Sequence, residues 1–475
     1  MNTILSAGAT APAEQTASAR WALAGLALSM LLASLGTSIA NVALPALAVA
    51  FGAAFQDVQW VVLAYLLSVT ALIVGAGRLG DVVGRRRLLL GGLLLFTAAS
   101  ALCAAAPSLW LLIAARAAQG LGAAAMMALS MAMAGEAVPK ARLGSAMGLL
   151  GTMSAVGTAL GPSLGGFLIA GLGWPAIFLV NVPLGVAAIV LACRGLPAGR
   201  RAPAANPAGF DAAGTLLLAL TLAAYALAMT LGRGGFGLLN AALLLTALIG
   251  AGFFVHAEHR AASPLIRLEM LRNSTLGGGF AMSAIVATVM MATLIVGPFY
   301  LSASLGLDAA LVGLAVSVGP VVTALSGVPA GRLADRFGAA RLTIVGLGAM
   351  AAGTLALTML PPSFGVAAYI GPIILTTAGY AMFQTANNTA VMAEIGKERR
   401  GMVAGMLSLS RNLGLVTGAS VMGAVFALAS GGSLVAARPE AVASGMRITF
   451  AASAALIAIA LAVALAGRAR QRNLQ

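Results

Sequence analysis

The sequence is poor in charge, and above all in acidic side chains. Charged residues make up 8% of the chain, with 12 Asp and Glu against 27 Lys and Arg, while hydrophobic residues make up 61%. A soluble domain normally has about a quarter of its residues charged. A water-soluble protein built around one core is therefore excluded, and a chain that lies largely within a bilayer is favoured.

Cysteine and histidine are also scarce. Cys103 and Cys193 are the only cysteines and lie near the ends of apolar runs, so no disulfide framework is implied. His256 and His259 flank Glu258, but no third ligand is indicated and no metal site is predicted. No glycine-rich segment carries the Lys-Ser or Lys-Thr pair of a phosphate-binding loop. We predict that the protein is not an enzyme and does not use ATP.

The basic residues lie mostly in short clusters between long apolar runs. Nucleic-acid binding would need them on one face of a soluble domain, so no nucleic-acid partner is predicted. The chain contains fourteen apolar runs, each long enough to span a bilayer as a helix. With the amino terminus in the cytoplasm, only Arg233, Arg438 and Arg447 lie outside. This asymmetry follows the positive-inside rule and predicts that both termini are cytoplasmic.

Two polar stretches, 194–210 and 257–275, divide the runs into six, two and six. The predicted organisation is a cytoplasmic tail over 1–20, a six-helix bundle over 21–193, linkers and an inserted helix pair over 194–275, a second six-helix bundle over 276–467, and a cytoplasmic tail over 468–475. The predicted class is an all-α polytopic membrane protein of two related bundles with a hairpin between them.

A frame rich in glycine and arginine occurs twice, after the second helix of each bundle. The first copy begins at Gly77 and ends at Arg87, and the second begins at Gly331 and ends at Arg341. Such an internal repeat indicates related halves. The frame resembles the signature loop between the second and third helices of major facilitator superfamily transporters. The residues that this resemblance assigns to a gating loop are Gly77, Asp81, Gly84, Arg85, Arg86, Gly331, Asp335 and Arg336.

The fifth helix carries a second motif of that superfamily, the pattern Gly-x-x-x-Gly-Pro-x-x-Gly-Gly. Its residues are Gly157, Gly161, Pro162, Gly165 and Gly166. Glycines four apart allow two helices to approach closely, and a proline inside a helix bends it. The pattern resembles the antiporter motif of drug exporters, and tight helix packing without further consequence is the alternative interpretation.

Two further segments extend the resemblance to the fourteen-helix drug:proton antiporters, namely Leu35–Pro45 in the first helix and Arg116–Gly120 in the fourth. The resemblance implies a major facilitator fold, export of small amphipathic compounds by alternating access, and a proton gradient in place of a cofactor. Expected partners are a small-molecule substrate, protons and membrane lipid, in a monomer of a prokaryotic inner membrane. A facilitator or proton symporter for a small polar or anionic metabolite is the alternative.

The sequence departs from this family at Gly36, where the family usually has an aspartate that serves protonation and binding of cationic drugs. Every acidic residue is predicted in a loop or near a helix end, so no carboxylate is expected near the bilayer middle. Asp57, Glu136 and Arg116 remain the candidates for proton coupling, although interfacial anchoring is the simpler role for both acids.

Polar side chains on otherwise apolar helices must face protein or water, so they predict a cavity between the halves. Tyr380, Gln384 and Asn388 share one face of the twelfth run, together with Asn387. The two deep charges, Arg116 and Arg411, are both positive, which favours an anionic or carbonyl-rich substrate over a cation. The predicted cavity residues are Thr37, Asn41, Arg116, Gln119, Met127, Tyr300, Tyr380, Gln384, Asn388 and Arg411.

Overall fold

A computed structural model describes residues 12–137, 143–196, 211–231, 237–261, 274–359, 364–393, 400–431 and 438–473. Within these ranges the chain forms helices joined by short connections, which confirms the all-helical class. Among the described residues, 13 helical segments are long and apolar enough to cross a membrane. The run expected near residues 364–390 also forms a helix, but polar side chains lower its hydropathy, and the count of fourteen spans remains a prediction.

The first half of the molecule corresponds to the first predicted bundle. Its helices are α1 (Pro12–Phe51), α2 (Phe55–Val83), α3 (Arg85–Ala104), α4 (Leu109–Ala137), α5 (Leu143–Leu172), α6 (Ala176–Leu179) and α7 (Asn181–Gly195). Helix α1 starts at Pro12, a residue well suited to a first helical turn, so the end of the predicted tail 1–20 is helical. Helices α6 and α7 follow one another closely and together form one apolar span.

The helix pair that the sequence predicts as an insertion consists of α8 (Ala212–Thr230) and α9 (Leu238–Arg260), and we keep the name inserted pair for it. The second half contains α10 (Ser274–Phe299), α11 (Ala309–Phe337), α12 (Ala339–Met359), α13 (Ala367–Ala393), α14 (Arg400–Thr417), α15 (Gly423–Ala429) and α16 (Pro439–Asn473). Short π-helical segments extend α10 over Tyr300–Ser304 and join α14 to α15 over Gly418–Met422. The predicted tail 468–475 is helical as far as Asn473.

Because the short connections between membrane-length helices place their turns at either end of the helices, the molecule has two ends. The arginine-rich end carries the α2–α3 and α11–α12 junctions, with Arg85–Arg87, Arg336 and Arg341. The opposite end carries the α1–α2 and α5–α6 turns, in which Gly52 and Gly173 adopt φ values of 56° and 82° that favour glycine.

The two halves contact each other close to the opposite end. Phe55 packs against Phe299 and Phe426 with ring centroids 4.8 Å and 5.5 Å apart, and we call these three residues the phenylalanine cluster. Helix α5 packs against α11 near the same end, where Gly166 leaves room for the backbone of Gly313. The halves are thus closed together at the opposite end.

At the arginine-rich end, three glycines have open surroundings. Gly77, Gly331 and Gly405 have no atom within 4 Å of the position that a Cβ would take, other than their own helix and chain neighbours. These glycines lie in the last or first turns of α2, α11 and α14. A Cβ would be accommodated at these three positions, whereas one at Gly166 would meet the backbone of the other half.

The inserted pair lies beside the boundary between the halves. Helix α8 packs against α2, where the Trp60 indole N–H donates to the Thr230 hydroxyl at 3.0 Å, and it also touches the π-helical segment after α14. Helix α9 packs mainly against α8 and exposes apolar side chains such as Leu238 and Leu248 at 89% and 71%. Helix α9 therefore presents a largely apolar surface to the surroundings of the molecule.

The sequence pattern predicted that the repeated glycine-arginine frame is a loop, and this prediction is wrong, because the frame is mostly helical. Residues 77–83 form the last two turns of α2, α3 begins at Arg85, and only Gly84 lies between the helices. Gly84 has φ 103° and Gly338 has φ 84° at the equivalent junction before α12. A single glycine in a conformation that L side chains rarely adopt is enough to reverse the chain, so the surrounding residues can remain helical.

Candidate functional site

A cavity lies within the second half, between α10, α13 and α14. Its lining residues are Ser283, Ala287, Tyr380, Phe383, Gln384, Asn387, Asn388, Leu407, Ser408 and Arg411. Of the predicted cavity residues, the structure brings Tyr380, Gln384, Asn388 and Arg411 together here. The cavity thus combines amide and hydroxyl groups, one guanidinium group and an apolar wall.

Helical spacing places these side chains on the cavity wall. Tyr380, Gln384 and Asn388 recur every four residues along α13 and therefore share one face. Asn387 holds this face against α10, since its amide Nδ2 donates to the Gly279 carbonyl at 3.1 Å. On α14, Arg411 lies about 16 Å from the start of the helix at a rise of 1.5 Å per residue. The cavity is therefore well inside the length of the helices.

Glycines at the end of α14 and the start of the following π-helical segment allow α14 to lie close to α10. A side chain at Gly414 or Gly418 would meet the carbonyl oxygens of Ala284 and Thr288. The Thr288 hydroxyl also donates to the Gly414 carbonyl at 3.1 Å. This close contact fixes α14 against α10, so the position of Arg411 relative to Ser283 is set by backbone packing.

The charge in the cavity is positive. Among the described lining residues, Arg411 is the only side chain that is charged at neutral pH, and it is exposed. Within the described ranges, every Asp and Glu lies in the first or last three residues of a helix or caps a helix. The cavity wall consequently offers a cation and neutral hydrogen-bonding groups to a ligand, with no carboxylate beside them.

Arg116 occupies a different place from the one predicted, because it does not line this cavity. Its side chain is 0% exposed. Its Nε donates to the Val61 carbonyl at 2.8 Å, one terminal nitrogen donates to the Gly36 carbonyl at 3.1 Å, and the other donates to the Gln119 side chain. The guanidinium carbon also lies 4.2 Å from the centre of the Tyr65 ring. These contacts tie α4 to α1 and α2.

The other predicted cavity residues of the first half continue this buried network. Gln119 donates from Nε2 to the Ser100 hydroxyl at 2.7 Å. Thr37 donates to the Ala33 carbonyl at 3.0 Å, and Asn41 donates to the Thr37 carbonyl at 3.1 Å. The Gln119 bond links α4 to α3, whereas the bonds of Thr37 and Asn41 lie within α1, and none of the three is among the described lining residues of the cavity.

Met127 and Tyr300 are also separate from the cavity. Met127 is half-buried and packs on the apolar core formed by α1 to α4 and α7. Tyr300 is buried at 4% exposure near the opposite end, with its ring centroid 6.4 Å from that of Tyr369.

The glycine motif of α5 forms two helix contacts. Gly157, Gly161 and Gly165 face α1, where added side chains would meet Leu31, Ser38 and Ile39. Gly166 faces α11, where a side chain would meet the Ala309 carbonyl, and the Pro162 carbonyl lies against Gly313. The motif therefore joins α5 to its own half and to the other half.

The predicted gating residues lie at the arginine-rich end. Arg86 donates to the Cys193 carbonyl at 3.0 Å and so links α3 to α7. Asp335 is exposed, and the Arg336 guanidinium carbon lies 5.3 Å from the centre of the Phe337 ring. The Asp81 side chain lies outside the described part of the structure, although its backbone belongs to α2.

The structure separates the candidates for proton coupling. Asp57 is half-buried in the first turn of α2, at the opposite end. Glu136 lies near the end of α4, and its side chain is outside the described part of the structure. Among the described residues, no group of three or more His, Cys, Asp or Glu could hold a metal ion, and His256 and His259 are exposed.

Some notable residues were missed by the sequence interpretation. Ser283 and Phe383 line the cavity, but each lies in an apolar helix without a local signal. Gln56 and Gln59 are buried at 4% and 0% exposure near the opposite end, and a side chain at Gly423 of the other half would meet the Gln59 amide. Two glutamines one turn apart beside Trp60 are a polar signal that could have been noticed.

Comparison with known proteins supplies the family context. The family model described as Major Facilitator Superfamily matches residues 26–419 and 280–473. The multidrug resistance protein Stp of Mycobacterium tuberculosis is 32% identical over 85% of this chain and 74% of its own length. The riboflavin transporter RibZ of Clostridioides difficile is 29% identical over 85% of this chain and 87% of its own.

Solved structures agree with this context at the level of the fold. A bacterial homologue of the human lysosomal transporter Spinster, in an inward-facing and unoccupied conformation, superposes with a TM-score of 0.67. It is 18% identical, and the match covers 97% of this chain and 98% of that one. At this identity the likeness concerns the path of the backbone alone.

Proposed function

The chain belongs to the major facilitator superfamily, with relatives among its drug:proton antiporters, and from this membership we propose that it exports small amphipathic organic compounds by proton-coupled alternating access. Export would be driven by protons that move inward as the substrate moves outward. Relatives named as a multidrug resistance protein, a multidrug efflux pump and a multidrug transporter protein support this assignment, as does the glycine motif of α5.

The single observation that carries the proposal is the position of the cavity. Its residues lie well inside α10, α13 and α14, while the phenylalanine cluster and the contact of Gly166 with Gly313 close the opposite end. A transporter with one end closed and a polar cavity within its helices is ready to take substrate from the other end.

We assign the arginine-rich end to the cytoplasm, with both termini there and fourteen spans in the inner membrane of a prokaryote. The positive-inside rule supports this orientation. The working unit would be a monomer, because the two halves of one chain supply both sides of the pathway. Its partners would be substrate, protons and membrane lipid, with no bound cofactor.

The alternative is a facilitator or proton symporter for a small polar or anionic metabolite. The arginine in the cavity and the restriction of described acids to helix ends favour it, and the riboflavin transporter among the relatives makes it concrete. The two candidates differ in the direction of transport and in its response to a proton gradient.

Reconstitution into liposomes tests the proposal. The protein is inserted with a pH-sensitive dye inside, and a fluorescent amphipathic compound is added to the side that corresponds to the cytoplasm. Antiport requires proton release from the lumen as the compound enters, and collapse of the pH gradient must abolish its accumulation. Movement of substrate and protons in the same direction would support the symporter. Equilibration of the substrate across the membrane, without accumulation and with no dependence on the pH gradient, would support the facilitator.

A further inference from the structure

Arg411 has the exposure and the freedom needed to bind a ligand. It lies on the cavity wall, and among the described residues none forms a hydrogen bond or ion pair with it. Arg116 differs in each respect, because it is 0% exposed and its three nitrogens donate to partners in its own half. Of these two deep arginines, only Arg411 can meet a molecule in the cavity.

The guanidinium group favours one class of partner. Its planar fork of N–H groups matches a carboxylate, which it binds through two parallel hydrogen bonds. Asn388 and Gln384 present amides to the same cavity, and amide N–H groups can also donate to an anion. A cationic ligand would instead meet Arg411 as a like charge, with no carboxylate among the lining residues to compensate it.

The rest of the cavity suits an apolar body attached to that anion. Phe383, Leu407 and Ala287 form an apolar wall, and Tyr380 adds an aromatic ring with a hydroxyl. Apolar walls with a few placed polar groups are typical of sites for small organic ligands. A small inorganic anion would leave this wall unused, whereas an aromatic or aliphatic acid would contact both parts.

We propose that this cavity selects amphipathic organic acids, and that Arg411 is the specificity-determining residue that binds their carboxylate. The inference rests on the proposed function for the role of the cavity in transport. It concerns binding, however, and can be tested without any proton gradient.

The test compares 2-naphthoate with 2-naphthamide, which share a ring system and differ in charge. Binding to the purified full-length protein in detergent is measured by calorimetry at neutral pH. Because hydrogen bonds to charged groups contribute about 1.5–3 kcal/mol, we expect the acid to bind about tenfold to a hundredfold more tightly. Equal affinities, tighter binding of the amide, or no binding of either compound would overturn the proposal.

Variants connect this preference to Arg411. Arg411→Gln should bind the acid and the amide equally, while Arg411→Lys should keep part of the preference because it retains the charge. Arg260→Gln, which removes an exposed arginine at the end of α9, is the matched control and should bind as the unaltered protein does. An acid preference that survives in folded Arg411→Gln would contradict the assignment, and the melting temperature of each variant reports its folding.

The outcomes separate this inference from the proposed function. If the acid binds through Arg411 but liposomes show no proton antiport, the export mechanism fails and the ligand class stands. If proton antiport is observed with compounds that bind equally well to Arg411→Gln, the export mechanism stands and the ligand class fails.

Discussion

Gly36 lies midway along the membrane span of α1. A Cβ added there would stand 3.3 Å from both the Phe96 ring and the Tyr65 hydroxyl, so neighbouring side chains must move slightly to admit one. Its carbonyl already accepts a hydrogen bond from Arg116. The position is therefore close to the buried cation even though it carries no side chain.

Gly36→Asp should not be enough to extend transport to lipophilic cations. The new carboxylate would stand beside Arg116, whose guanidinium group already donates to the Gly36 carbonyl, and would pair with that buried cation inside the first half. Export of a fluorescent lipophilic cation from intact cells should therefore equal that of the native protein, and Gly36→Asn, which adds similar volume without charge, should behave in the same way. A several-fold rise confined to Gly36→Asp would contradict this placement.

Arg116→Ala should destabilise the first half. The change leaves the Val61 and Gly36 carbonyls and the Gln119 side chain without their buried donor, at about 1–3 kcal/mol for each orphaned group. A clearly lower melting temperature in detergent is expected. Arg116→Lys keeps the charge without the planar guanidinium fork, so its melting temperature should lie between those of the unaltered protein and Arg116→Ala. A native melting temperature for Arg116→Ala would indicate that these bonds contribute little.

The sequence indicates which polar residues lie within apolar helices, but it does not indicate which groups of other helices surround each of them. Arg116 and Arg411 looked equivalent, since each was an arginine within an apolar helix. Their difference depends on which carbonyls and rings of other helices surround each side chain, namely Val61, Gly36 and Tyr65 for Arg116. The local sequence does not specify contacts with other helices. Of the predicted cavity residues, only those on α13 and α14 of the second half line the described cavity.

At the scale of elements, the contact between α5 and α11 links the halves at their closed end. Gly166→Ala should weaken it, because the new methyl group would meet the Ala309 carbonyl and the Gly313 backbone. Spin labels at Val49 and Ala303, exposed positions near the opposite end of each half, should show a longer and broader distance distribution. Both native cysteines, Cys103 and Cys193, are replaced by alanine for this measurement.

Gly171→Ala is the matched control for this prediction. It adds the same methyl group to the same helix, at a position with no neighbouring atom within 4 Å. Its distance distribution should equal that of the unaltered protein. If Gly166→Ala also left the distribution unchanged, the glycine contact would not hold the halves together.

Helix positions were predictable because the length of an apolar run is set by the thickness of the membrane. The ends of the helices were harder to predict. Helix α2 continues to Val83 through a segment whose glycines and arginines had indicated a loop. Glycine is compatible with a helix as well as with a turn, and only Gly84, at φ 103°, uses its special freedom. The π-helical segment at Gly418–Met422 had no signal in the sequence.

For the whole molecule, the orientation in the membrane can be tested with a residue that the chain already contains. Cys193 is exposed near the end of α7, at the arginine-rich end, whereas Cys103 is buried. A membrane-impermeant maleimide should label Cys193 in inside-out vesicles and leave it largely unlabelled in intact cells. The Cys193→Ser variant should not be labelled in either preparation, and labelling from the outside of cells would reverse the proposed orientation.

The phenylalanine cluster has a consequence for the electrical insulation of the membrane. Phe55, Phe299 and Phe426 meet at the closed end, and their rings offer no hydrogen-bonding atoms. A proton can hop only along a continuous chain of hydrogen-bonded groups or waters, and three phenyl rings in contact interrupt such a chain. We therefore expect protons to pass between these three rings only when the halves rearrange and the rings separate.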